Sequence, residues 1–501
     1  MSVTPERTAS RPSEKPSRKP LTGDAVRSVA LTTLSFGGNK LLVFISTVVL
    51  ARLLTPADFG IVAAASAVIL YFDVVLDLGI GAALVYEQEK GTSERVHNAF
   101  TLNLLVTSVL TGLGLLLTPA LAAFFSLQSD ENVFRALFVY LFIKGLGQVQ
   151  TSMLQRDLRF GRRGSVEVAR GVVRAGVSIG MALTGFGVWA LVGGLLAGEL
   201  AGTALAWALV GYRPRLRLER AVVRALMGFG LAFIALKISD AIALDSDYLI
   251  IGHALGPTQL GYYTIAYRLP ELALTSLYWI FGTVAFPLYS QARARGLDVT
   301  GYVQLRALRL ITVFSFPAGV LLALLAPDVI YVLFGAKWAP AITPMVFIAL
   351  MTSVMSVGFS SGDLFPAMGR PATLLVINTP LTVLLVIVFI IVVPYGIVWI
   401  AVTHLVMMFI AQTARLVLVT RVFGTRFAQQ LRAMLPGVYA TFGVLLLAGP
   451  VRLLLPHGPG SLVLLSLAGV LGALGGLYLG SRETVTELRG LAGALRPGVS
   501  T

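Results

Sequence analysis

The chain contains no cysteine, only four histidines and few charges of either sign. Lack of a thiol excludes disulfides, iron–sulfur clusters, thiolate zinc sites and a cysteine nucleophile, and leaves the redox compartment unmarked. His97, His253, His404 and His457 are too scattered for a metal motif. There is no Walker string to cradle ATP, so any transport must be driven by a gradient, the membrane potential or downstream consumption. Charged residues make up 13% of the 501 positions, about half of the roughly 25% found in a soluble domain, which excludes an ordinary soluble enzyme. Apolar residues take their place: 56% of the chain is hydrophobic and the mean hydropathy is +0.84. Apolar runs of about 20 residues, each long enough to cross hydrocarbon as a helix, recur from end to end. The fold class is all-α, and the protein is a polytopic membrane protein.

Residues 1–23, rich in Ser, Pro, Arg and Lys, bury too little to fold and are expected to form a disordered cytoplasmic tail. The tail is too polar for a secretory h-region and lacks a small-residue cleavage site, so the first apolar stretch is expected to stay in the chain. Spans follow near 27–50, 58–80, 98–120, 133–154, 165–184, 188–210, 226–251, 259–288, 307–326, 341–365, 372–393, 397–420, 434–455 and 461–480. They make about fourteen helices. Short turns such as Gly185-Phe186-Gly187 and Pro394-Tyr395-Gly396 join them and leave no room for an extramembrane domain.

Lys and Arg number 39 against 24 acids, a net charge of +15, which in a soluble protein would point to nucleic acid. Sorted by loop, they fall on the side of the N-terminus by about ten to one; the opposite loops hold only Arg52, Lys337 and Arg452. Both termini are therefore expected in the cytoplasm. The clusters Arg156 to Arg163 and Arg213 to Arg217 read as membrane-flanking topology signals that also touch anionic headgroups, not as a nucleic-acid surface.

The stretch Leu53 to Ala65 recurs 201 positions later as Ala254 to Ala266, with Leu54, Pro56, Gly60 and Ala65 matching Leu255, Pro257, Gly261 and Ala266. Each copy lies between the first and second helix of a half, and Gly161-Arg162 and Gly369-Arg370 mark the turn after each half's fourth helix. The expected organisation is a six-helix lobe over 24–212, a basic cytoplasmic linker over 213–224, a second six-helix lobe over 225–424, two additional helices over 425–480 and a cytoplasmic tail over 481–501. Six is even, so the lobes share one orientation and a pseudo-two-fold axis along the membrane normal, with a cavity between them.

Charges deep in hydrocarbon cost a few kcal/mol on insertion scales and persist when they face a cavity or a partner. Lys40 lies midway along the first span. Lys237, Asp240 and Asp247 share a stripe on the seventh, with Asp245 to one side, and Arg268 and Glu271 flank Pro270 on the eighth. The equivalence of these helices in the repeat favours a shared cavity; the alternative is that Lys237–Asp240 and Arg268–Glu271 are self-neutralising i,i+3 pairs. Lys144, Arg174 and Glu199 either pair with one another or line the same cavity, and a buried acid such as Glu199 or Asp240 is a candidate for carrying a coupling proton. Asp73 and Asp77 share a face near the cytoplasmic end, where solvation suffices to explain them. Gly358-Phe359-Ser360-Ser361-Gly362 matches a nucleophile-elbow string, but within an apolar helix its small residues serve packing.

The sequence Ala51-Arg52-Leu53-Leu54-Thr55-Pro56-Ala57-Asp58-Phe59-Gly60, followed by Leu154-Gln155-Arg156-Asp157-Leu158-Arg159-Phe160, Gly187-Val188-Trp189-Ala190-Leu191 and Asp247-Tyr248-Leu249-Ile250-Ile251-Gly252 running into Leu260-Gly261-Tyr262-Tyr263, resembles bacterial polysaccharide flippases of the Wzx type. These belong to the multidrug, oligosaccharidyl-lipid and polysaccharide exporter superfamily. The resemblance runs from about Asp24 to Gly480 and implies two six-helix lobes in a V with alternating access. It implies a non-enzymatic flippase of the bacterial inner membrane, without cofactor, that turns an undecaprenyl-diphosphate-linked oligosaccharide to the outer leaflet for surface polysaccharide synthesis. The implied partners are that lipid-linked substrate, membrane lipids and the polysaccharide polymerase and chain-length machinery. Lys40, Lys237 and Arg268 are then expected to contact the diphosphate, with Arg52 at the outer mouth, because Lys and Arg offer charge-assisted hydrogen bonds to phosphate oxygens. By analogy alone, the two additional helices would line a groove for the lipid tail. The acidic Asp240, Asp245 and Asp247 argue against a uniformly positive lumen. A cation-coupled multidrug exporter of the same superfamily would want an acidic, aromatic cavity, and a membrane-embedded polysaccharide polymerase would want larger loops.

Overall fold

The computed structural model describes residues 40–77, 92–157, 159–212, 214–275, 296–362, 364–368 and 372–494, with Gly38 and scattered positions from 278 to 293. The tail 1–23, Gly369-Arg370 and the side chain of Asp77 lie outside the described residues. All regular elements among the described residues are helical. In chain order they are α1 (40–53), α2 (Pro56–Asp77), α3 (Thr92–Phe124), α4 (Glu131–Arg156), α5 (Phe160–Leu183), α6 (Val188–Val210), α7 (220–255) and α8 (257–270, continued by a π-helical turn Glu271–Thr275). Then come α9 (Leu297–Val329, continued by Ile330–Phe334), α10 (Ile342–Gly362), α11 (Ala372–Val392), α12 (Ile397–Phe423), α13 (Phe427–Leu454), α14 (Pro459–Gly480) and α15 (Arg482–Ala494). Nine of the described helices are long and apolar enough to cross a membrane.

Local chemistry sets the boundaries. Thr55 and Asp58 cap α2 reciprocally: the Thr55 amide and hydroxyl both donate to Asp58 Oδ2, at 2.8 and 2.7 Å, and the Asp58 amide donates back to Thr55 Oγ1. Pro56 supplies the first helical position, where no amide is needed. In the second repeat copy Gly256, at φ +79°, breaks an otherwise continuous helix and Pro257 restarts it as α8. Close helix pairs rest on small residues. A Cβ on Gly198 of α6 would come within 2.8 Å of Arg174 Cβ on α5, and one on Gly472 of α14 within 2.3 Å of the Gly443 carbonyl on α13. The pair α13–α14 packs against α9.

The C-terminal tail and the linker are both held against the helices. The C-terminal tail is helical over α15, and Arg306 and Arg309 of α9 pair with its Glu487 and Glu483, so this stretch is docked. The linker between the halves is likewise held. Alternate amides of Arg215, Arg217 and Glu219 donate to His97 Nδ1, Thr101 Oγ1 and Asn98 Oδ1 of α3, at 2.9, 3.0 and 2.6 Å. Burial pushes the neighbouring Tyr212 phenol up to about 12, so it stays protonated and bonded to His97 at neutral pH. Charge composition announces a linker; it does not announce that its backbone is paired.

Candidate functional site

The two repeat copies meet each other. A Cβ on Gly60 of α2 would lie 1.6 Å from the Pro257 carbonyl oxygen, and one on the equivalent Gly261 of α8 would lie 1.9 Å from that of Pro56. The contact is reciprocal, as in a self-complementary interface. Only glycine allows backbones this close.

Around this crossing, helix ends cap one another. Arg52 at the end of α1 donates to the carbonyls of Leu333, at 2.8 Å, and Val332, at the end of α9. Lys337 returns the contact, donating to the carbonyls of Arg52 and Leu54 at 3.0 and 2.7 Å, and Trp338 Nε1 donates to Ala51 at 2.9 Å. Phe59 and Tyr262, one from each copy, stand edge-on to the Trp338 ring. These cations satisfy carbonyls that a helix C-terminus leaves without partners. Arg52, expected at an outer mouth, has its guanidinium engaged in a latch between the halves. The third exception to the charge sorting, Arg452, pairs with the fully buried Asp328.

The interior charges of the first half are paired within it. Lys144 of α4 bonds Asp73 of α2 at 2.6 Å, so Asp73 has a partner where solvation alone was expected. Glu199 of α6, 3% exposed, accepts one hydrogen bond of 3.0 Å from Arg170 of α5 and has a second ion-pair contact with it at 3.0 Å; Arg170 also holds Glu167. Lys144, Arg174 and Glu199 therefore do not pair with one another, and two of the three are committed elsewhere.

The second half holds a cavity of about 480 Å³ lined by α7, α10, α11 and α12, not by both halves. Lys237 and Asp240 line it, with Arg415 and Asn378 opposite; Arg415 donates to Asn378 Oδ1 at 3.0 and 3.2 Å. Gly358 of α10 makes room, for its Cβ would fall 2.3 Å from Gln412 Oε1. The Ser360 and Ser361 hydroxyls bond their own helix backbone, as the packing reading of that string requires. Asp247 does not line this cavity with Lys237 and Asp240. It is fully buried, accepting from the Tyr263 and Tyr267 hydroxyls at 2.7 and 3.3 Å and the Tyr248 amide at 3.0 Å, with His404 Nδ1 3.3 Å away. His404 and Arg415 were not among the expected site residues, although a histidine and an arginine inside the apolar α12 carry the same cost as Lys40. Lys40 itself is exposed near the start of the described part of α1.

Besides Arg52 and Lys337, the fold brings together Arg174 and Arg268 from different halves. Arg174 on α5 and Arg268 on α8 lie within coulombic range of one another. Arg268 has one loose contact, 3.6 Å to Glu271, and its buried Nε has no hydrogen-bond partner. Arg174 is half-buried, and among the described residues no carboxylate lies within ion-pair distance of it; Glu199, in its field, is bound to Arg170. Asp245, Glu271 and Tyr71 of α2 belong to the same neighbourhood, Asp245 lying in the field of Asp247 and Glu271. Like charges repel, and the repulsion grows as water is excluded from around them. An anion between them removes that cost.

Comparison with known proteins bears on both the fold and the family. Lipid II flippase MurJ in its inward closed conformation superposes with a TM-score of 0.75, covering 91% of this chain and 100% of that one at 14% identity, so the fold is shared. The succinoglycan biosynthesis transport protein ExoT of Rhizobium meliloti is 27% identical over 331 residues, 66% of each chain. The lipopolysaccharide biosynthesis protein WzxC of Escherichia coli is 24% identical over 337 residues, 64% of this chain and 65% of that one. The chain thus spans just under two thirds of the length of these relatives. The model of the polysaccharide biosynthesis protein family matches residues 49–343, more than half of the chain, and the chain belongs to that family.

Proposed function

We propose that the protein is a flippase that carries an undecaprenyl-diphosphate-linked oligosaccharide from the cytoplasmic to the outer leaflet of the bacterial inner membrane, for synthesis of a surface polysaccharide. The observation that carries this reading is the pair Arg174 and Arg268, one guanidinium from each half, neither held in an ion pair closer than 3.6 Å among the described residues. A diphosphate offers several anionic oxygens along a short axis, and each charge-assisted bond contributes about 1.5–3 kcal/mol. An anion held by both halves would draw them together, and alternating access would expose it to either side in turn. The excess of basic loops supports cytoplasmic termini, with the Arg52–Lys337 latch on the outer side. The fourteen helices would then form two six-helix lobes and an added pair.

The same guanidinium pair disfavours a multidrug exporter, since an organic cation would meet repulsion there. The test is reconstitution in liposomes with a fluorescent polyprenyl-diphosphate sugar, scoring its arrival in the opposite leaflet. Flipping of the diphosphate and not of an organic cation is the expected result; the reverse preference overturns the reading.

A further inference from the structure

The stripe His404, Met408, Ala411, Gln412 and Arg415 runs along one face of α12 and lines the cavity of the second half. Eleven residues of helix separate its ends, roughly 16 Å at 1.5 Å per residue. One end carries Lys237, Asp240, Asn378 and Arg415, and the other ends on His404. Two polar atoms along this path are buried without a hydrogen-bond partner: Gln412 Oε1 and His404 Nε2, in side chains 3% and 2% exposed. Polar atoms left so in a cavity of this size are sites for water.

The opposite face of the His404 ring fixes its tautomer. Nδ1 lies 3.1 Å from the Tyr267 hydroxyl and 3.3 Å from Asp247 Oδ2. A bare nitrogen lone pair that close to a carboxylate is repulsive, so the proton sits on Nδ1 and Nε2 presents its lone pair to the shaft. The groups facing the pair are Asp245, Asp247 and Tyr248 from α7 and Tyr263, Tyr267 and Arg268 from α8. Glu271 and Tyr71 lie further out, and Phe389 of α11, edge-on to the imidazole, adds no charge. A positive charge placed on His404 would find its counter-charge already in contact.

We infer that His404 is a proton-binding site, reached by water through the shaft within the second half, and that its protonation sets the conformation of α8 next to Arg268. Nε2 takes a proton from shaft water and releases it by the same route; the imidazolium then faces the Asp247 carboxylate through Nδ1–H. Tyr267, bonded to both His404 and Asp247, is the residue before Arg268. A change of charge on the ring is therefore one residue away from the guanidinium assigned to the anion. Only this last consequence rests on the flipping reading.

The test has two arms. In the first, nitrogen-15 histidine spectra of the full chain in nanodiscs are followed across about pH 5 to 8, with His404 assigned by loss of its signal in His404→Gln. The His404 signal is expected to titrate at Nε2, and Gly358→Leu, which fills the shaft beside Gln412, is expected to slow its proton exchange at least tenfold while the other histidines keep theirs. A His404 signal that does not change with pH, or that exchanges as fast in Gly358→Leu, overturns the site. In the second arm, liposomes with and without a pH gradient are compared for flipping of the polyprenyl-diphosphate sugar. Wild type is expected to respond several-fold and His404→Gln not at all. A wild-type rate indifferent to the gradient overturns the coupling and leaves flipping intact, whereas a titrating His404 in protein that moves no lipid supports the site and removes the flipping reading.

Discussion

The repeat places Arg52 at the end of α1 and His253 at the end of α7, at equivalent positions, and they do equivalent work with different strength. Arg52 reaches the carbonyls that end α9, and His253 Nδ1 donates to the Phe124 carbonyl that ends α3, its ring stacked on Phe124 at 4.1 Å. The first latch has a permanent cation, a second cation returning the contact from Lys337 and a buried tryptophan; the second has one imidazole bond. The same asymmetry runs through the interiors. In the first half Lys144 and Glu199 are closed off by Asp73 and Arg170, whereas the second half keeps a cavity lined by Lys237, Asp240 and Arg415.

The largest effect is expected where the copies share a contact. Gly60→Leu and Gly261→Leu each drive a side chain into a carbonyl and should destabilise the protein by at least about 3 kcal/mol, read as a loss of thermal stability in detergent. Gly112→Leu, on a helix face with nothing within 4 Å of its Cβ, is the control and should leave the melting curve in place. Equal melting of all three would break the claim that this crossing holds the halves.

The latches come next. The chain has no cysteine, so Leu54→Cys, 4% exposed in the native fold, gives a single thiol whose labelling reports opening. Arg52→Ala removes two charge-assisted bonds from an exposed guanidinium to the carbonyls that end α9 and should speed labelling at least tenfold. His253→Ala, scored with a thiol at Phe125 (1% exposed), should produce only a few-fold change. Reversal of that order would contradict the proposed ranking of the two latches.

Smaller still is the effect inside the first half. Glu199→Gln leaves Arg170 partly buried without its main counter-charge and should cost about 2 kcal/mol, less than the 3–5 of a fully buried pair, because Arg170 keeps Glu167 and is 27% exposed. Asp73→Asn, where both partners are about 30% exposed, should cost about 1 kcal/mol. Chemical denaturation of the two variants in the same detergent compares them directly.

Much of the fold was legible because apolar run length and turn residues act locally. Pro56 and Pro257 mark helix starts whatever lies beyond them, and a mid-span charge such as Arg268 is costly in any arrangement. Partner identity was not legible. Lys237 and Asp247 share a helix stripe in sequence, yet one lines the cavity and the other is enclosed by tyrosines of α8 and by His404 of α12, more than 150 residues away. Arg52 read as a free cation because its acceptors are backbone carbonyls, which every residue has and no pattern marks. His404 fits no metal spacing; its isolation within an apolar helix is the informative fact.

The central claim is that the two halves share one anion through Arg174 and Arg268. Its most direct test is equilibrium binding of a polyprenyl diphosphate and of the corresponding monophosphate to the protein in nanodiscs, for wild type, Arg174→Ala, Arg268→Ala and the double variant. The account predicts that each single change weakens the diphosphate by about tenfold or more, at 1.4 kcal/mol per decade, erases the preference over monophosphate, and that the double variant loses less than the sum. Undiminished diphosphate binding in both single variants would contradict it.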